Sequence, residues 1–203
     1  MVYSHRCGLA IVLAAALTSS LSAQSESKGL PPGSPRTRAI ETLEWWNHFG
    51  GKLIAMAKDF PEEKYDFRVQ ENQRTFAENI LHVASVDFDV TSRISGTRLG
   101  PDFGAEGHSP TRRSFRTKTD AVKLLEDAVA AGAKVIQQQG DAGLDKTISF
   151  AWETGSHVSH VSYAWMSAIE HTAEHFGQLA VYYRASGLVP PESRPRSHTD
   201  SGR

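Results

Sequence analysis

His171 and His175 stand four residues apart in Ile169-Glu170-His171-Thr172-Ala173-Glu174-His175-Phe176-Gly177-Gln178-Leu179. Four residues is about one turn of helix, so both imidazoles leave the same face and can share one ion. Around them, Val161, Trp165, Ala168, Thr172, Phe176, Leu179 and Tyr183 recur at helical spacing, with the two histidines on the shoulder of that stripe. They are expected to face a pocket rather than open water. Two histidines from one turn leave a tetrahedral or octahedral ion incomplete, so a third ligand is expected from another helix. His82 in Asn79-Ile80-Leu81-His82-Val83-Ala84 is the candidate, although it projects nearer Asn79, Val86 and Asp89 than the centre of the Leu81, Ala84 and Phe88 stripe.

Other residues are weaker candidates. A zinc-protease motif needs glutamate directly after the first histidine, and Thr172 stands there. Glu170 and Glu174 precede the histidines and project to the solvent side. His160 shares a projected face with His171, but eleven residues of helix separate them by roughly 16 Å, so His157 and His160 belong at the helix start. His48, beside Trp45, Trp46 and Phe49, reads as a packed or half-exposed histidine. Arg112, Arg113, Arg116 and Lys118 read as a solvated loop. Asp87, Asp89, Glu174 and Tyr182 could each act as a general base, and none is preferred.

Four helical segments could position these residues. The first, 37–59, carries Ile40, Leu43, Trp46, Gly50, Leu53, Ile54 and Ala57 on one side and ends before Phe60-Pro61. A capping box at Thr75-Phe76-Ala77-Glu78 opens the second, which continues to about residue 92. A long Gly-, Pro- and Arg-containing connection, 95–116, leads to the third, 119–139, with Val122, Leu125, Val129, Ala133 and Ile136. Between it and the fourth helix, 161–185, the segment around Ile148-Ser149-Phe150-Ala151-Trp152 reads as strand-like or turn. Four apolar stripes of comparable length are buried most simply in an all-α four-helix bundle, spanning 36–193 and followed by a disordered tail, 194–203.

The start of the chain reads as an export signal. His5 and Arg6 precede an apolar run from Leu9 to Leu17, and small residues follow up to a cleavage point after Ala23. That run is less than half of the roughly 20 residues a spanning helix needs, so no stable membrane anchor is expected. Residues 24–35 form a flexible linker. The one cysteine, Cys7, lies before the apolar run, so the mature protein has neither disulfide nor thiolate ligand. With 22 Lys and Arg against 23 Asp and Glu among 203 residues, no basic face suggests nucleic acid.

Several stretches together resemble the DinB/YfiT-like superfamily. They are Phe60-Pro61-Glu62-Glu63-Lys64-Tyr65-Asp66-Phe67-Arg68, Arg74-Thr75-Phe76 leading to Leu81-His82-Val83-Ala84, the histidine run, and Tyr183-Arg184-Ala185-Ser186-Gly187-Leu188-Val189-Pro190-Pro191-Glu192-Ser193. The resemblance implies an up-down-down-up bundle holding one metal ion through His82, His171 and His175. It also implies a small-molecule substrate, with thiol chemistry as the precedent, although the export signal departs from the cytosolic setting of relatives acting on thiols.

Nickel or zinc is the expected metal. The function stays open between a metal-dependent hydrolase or thiol group transferase and a non-catalytic metal- or ligand-binding stress protein. The aromatic breadth of the first helix predicts a homodimer, and the signal predicts a periplasmic or secreted protein.

Overall fold

The structure, a computed structural model, describes residues 36–152 and 155–195. The expected signal peptide, the linker and residues 196–203 of the expected tail lie outside the described residues. Four helices carry the fold: α1 (Arg38–Asp59), α2 (Phe76–Ser95), α3 (Lys118–Leu144) and α4 (Val161–Ala185). A two-stranded antiparallel hairpin, β1 (Thr147–Trp152) and β2 (Gly155–His160), fills the segment read as strand-like, with Thr147 opposite His160.

Side-chain contacts give the helix directions. Arg38, at the start of α1, forks onto Asp145 beyond the end of α3 with both bonds at 2.9 Å, whereas Lys118 Nζ, at the start of α3, donates to the Phe60 carbonyl at 2.8 Å. Those two helices are antiparallel. Tyr183 in the last turn of α4 donates to the Met56 carbonyl in the last turn of α1 at 2.8 Å, so α4 runs parallel to α1. Tyr182 donates at 2.5 Å to the carbonyl of Arg74, just before α2, so α2 opposes α4. Gln139 Nε2 bonds the Ile94 carbonyl at 3.2 Å, joining the late turns of α2 and α3. The order is up-down-down-up. The connection between α2 and α3 must then travel back along the bundle, which is why it is long.

Local chemistry explains most boundaries. Thr75 and Glu78 form both bonds of the capping box that opens α2, at 3.1 and 2.7 Å. A second box, Thr117 with Asp120, opens α3. That helix extends beyond residue 139 through a kink at Gly140, whose φ of 56° and ψ of −162° suit glycine. The chain beyond the kink caps its neighbour, because Asp141 Oδ1 accepts the Ala39 amide at 2.8 Å.

Two aromatic clusters fill the ends of the core. Trp46 meets Trp165 edge to face at 5.1 Å, and its Nε1 donates to the Val129 carbonyl at 2.8 Å. Phe60 stacks on Phe76 at 3.8 Å, with Tyr65 and Tyr183 against them. Gly132 permits the Trp46 position, since a Cβ there would lie 2.2 Å from Trp46 Cζ2. Gly132→Ala is therefore expected to cost about 1–3 kcal/mol, as overpacked cores do. Thermal denaturation would show it as a lower Tm, and an unchanged Tm would mean that the indole moves freely.

Candidate metal centre

The seam between α2 and α4 brings the three predicted histidines together. His82 comes from the second turn of α2, and His171 and His175 come from successive turns of α4. One ring nitrogen from each lies within 4.8 Å of the others. His82 Nε2 and His171 Nε2 are 3.1 Å apart, and the ring centroids are separated by 4.6–5.1 Å. With metal–nitrogen bonds of about 2.1 Å, neighbouring donors lie about 3.0 Å apart around an octahedral ion and about 3.4 Å around a tetrahedral one. The 3.1 Å separation falls between these values, and the donor set fits a borderline divalent ion.

The crossover orients one of the three ligands. His82 Nδ1 bonds the backbone carbonyl of His108, which fixes the proton on Nδ1 and leaves the Nε2 lone pair aimed at the other rings. The His108 side chain returns to α2, with Nε2 3.6 Å from Asp89 Oδ2. Nothing in the helical periodicity pointed to His108. It acts through its carbonyl, and only its place in the connection between α2 and α3 could have drawn attention to it.

Electrostatics keep the imidazoles neutral. Burial lowers His171 to about 3, with the fields of His175, His82 and Arg74 adding to it. His175 falls to about 4, again mainly by burial, then through His82 and Arg74. His82 is lowered by burial, opposed by its bond to the His108 carbonyl. Neutral rings present lone pairs, which metal binding requires.

Other candidates lie elsewhere. His160 stands at the N-cap position of α4 and its Nδ1 lies 3.1 Å from the Asp145 carbonyl, while His157 sits on β2. His48 is exposed and lines a cavity of about 840 Å³ between α1 and α4 with Trp45 and Met166, apart from the trio. Glu170 and Glu174 are on the exposed face. The basic cluster departs from a solvated loop, because Arg112 and Lys118 both lie over the Tyr65 ring, at 5.7 and 5.9 Å.

The model of the DinB superfamily matches residues 46–179, which contain all three histidines. The chain belongs to the DinB superfamily. A solved DinB-like protein from Bacillus cereus ATCC 10987 shares its fold, with a TM-score of 0.58 and 17% identity. The match covers 74% of this DinB chain and 93% of that one. No curated protein matches the sequence.

Proposed function

We propose that this DinB protein is an exported, metal-dependent hydrolase or group transferase acting on a small molecule, with thiols as the first class to try. The convergence of His82, His171 and His175 carries the reading. A nickel or zinc ion held there would lower the pKa of a bound water or thiol toward neutrality. The protein's part is to hold three neutral imidazoles together and to orient His82 through the crossover.

One observation favours the second reading, a metal- or ligand-binding protein without turnover. Each of the four candidate bases is buried, engaged or turned away. Asp87 is buried, Asp89 pairs with Arg93 at 2.7 Å, Glu174 faces solvent, and the Tyr182 hydroxyl is committed to the Arg74 carbonyl. Incubating metal-loaded protein with panels of thiols, esters and lactones separates the two. Turnover abolished by His82→Ala supports the enzyme, and metal-dependent binding without turnover supports the binder.

Export and dimerisation belong to the same proposal. Among the described residues no helix is long and apolar enough to cross a membrane. Trp45 is 57% exposed on α1 and Met166 is 58% exposed on α4, an apolar surface suited to a second copy. N-terminal sequencing of protein from cell fractions tests export, and an intact Met1 in the cytosol would refute it. A monomeric mass at micromolar concentration would remove the dimer.

A further inference from the structure

Beside His82, a groove runs between the start of α2 and the crossover. Two recesses of about 290 and 500 Å³ make it up, and Glu78 and Thr111 line both. The groove adjoins His82 on two sides. Glu78 lies one turn before His82 on α2, and Ser109 and Pro110 follow the residue whose carbonyl bonds His82. Arg68, Arg74, Arg112 and Arg113 line it, against two carboxylates, Asp66 and Glu78.

The two carboxylates leave half of that positive charge unmatched. Glu78 Oε2 is held by the Thr75 amide at 2.7 Å, and among the described residues Asp66 reaches only Arg112 Nε, at 3.6 Å. Arg112 Nη1 is buried with no hydrogen-bond partner among the described residues, while its guanidinium is braced over Tyr65. Among the described residues, no hydrogen bond or ion pair engages the guanidinium of Arg74 or Arg113. Guanidinium forks pair with carboxylate or phosphate oxygens in bidentate fashion, and a fork already braced loses little freedom on doing so.

We propose that this groove binds the carboxylate or phosphate group of a small anionic substrate whose reactive end meets the three histidines. The inference rests on the metal reading above and adds the charge of the substrate to it. Glu78, on the groove wall, stands four residues, about 6 Å of helical rise, before His82. The ligand is therefore small, with its anionic group a few bonds from the atom that reacts.

The test uses the cobalt(II)-loaded protein and three thiols, mercaptoethanol, mercaptosuccinate and 2-mercaptoethyl phosphate. Each is titrated at low salt, and binding is read from thiolate-to-cobalt absorption. At least one anionic thiol should bind about tenfold more tightly than mercaptoethanol, the scale of one charge-assisted hydrogen bond, and the larger gain names the group. In Arg74→Gln/Arg112→Gln the gap should shrink to within about threefold, with cobalt stoichiometry and mercaptoethanol affinity unchanged. Arg74→Gln alone, which leaves the Tyr65 packing intact, should lose part of the gap. Equal affinities in the wild type, or a gap that survives both variants, would overturn the groove and leave the metal centre standing. Failure to bind cobalt, or cobalt bound with no thiolate band from any probe, would overturn the metal reading itself.

Discussion

Wild-type protein purified with zinc or nickel should carry one ion per chain, and His171→Ala/His175→Ala should carry none. On the scale of four-ligand zinc sites each ligand supplies about 3 kcal/mol, so losing two weakens binding about 10⁴-fold. Metal analysis after dialysis reads this directly. Thermal denaturation gives a second readout. Ion at a thousandfold excess over Kd stabilises the folded state by about 4 kcal/mol, roughly ten degrees in Tm for a chain of this size. The double variant should lose that increment while keeping its helical circular dichroism, because His171 is only half-buried and both substitutions favour helix. Equal stoichiometric metal in both proteins would remove the site.

Asp87→Asn should raise the Tm of the metal-free protein at pH 7 and have little effect near pH 4. Asp87 is 1% exposed in the α2–α4 seam, where its Oδ1 lies 3.5 Å from the Thr172 hydroxyl, itself donated to the Ala168 carbonyl at 2.9 Å. Burial holds its carboxyl well above the usual carboxylate range. The sign follows from linkage. The unfolded chain releases this proton above about pH 3.9 while the folded chain keeps it, so stability falls as pH rises until the folded carboxyl also ionises. Asparagine keeps the shape and removes the proton, so its advantage grows across that window. Each unit of elevation is worth about 1.4 kcal/mol, or a few degrees in Tm. An Asn variant less stable than wild type by the same amount at both pH values would show that Asp87 is charged and paired.

The parts of the fold written as periodic side chains were legible in the sequence. The expected limits of the fourth helix, 161–185, are those of α4, and the capping box at Thr75 is present. Its stop was harder to read for α2, which runs on to Ser95 because the left-handed cap is Gly96, with φ of 71°. Gly140 also has positive φ, yet the chain resumes helix beyond it, held by the Asp141 bond to the distant Ala39 amide. Local sequence carries no trace of that partner. The metal site divides in the same way. Three histidines could be named from type and spacing together with the family resemblance. The carbonyl of His108 reaches the site, and the field of Arg74 acts on it, only because the crossover and the turn before α2 lie beside it.

His171 and His175 are a single turn apart, but His82 lies 89 residues away from His171 along the chain. An ion bound by all three would therefore be a cross-link between α2 and α4. Closing a loop of that length costs an unfolded chain about 4 kcal/mol of entropy beyond the constant term, so a bond that keeps it closed works as a disulfide does. The only cysteine, Cys7, precedes α1, so the bundle has no thiol with which to build such a staple. The three imidazoles offer a reversible substitute, one that a chelator rather than a reductant would open.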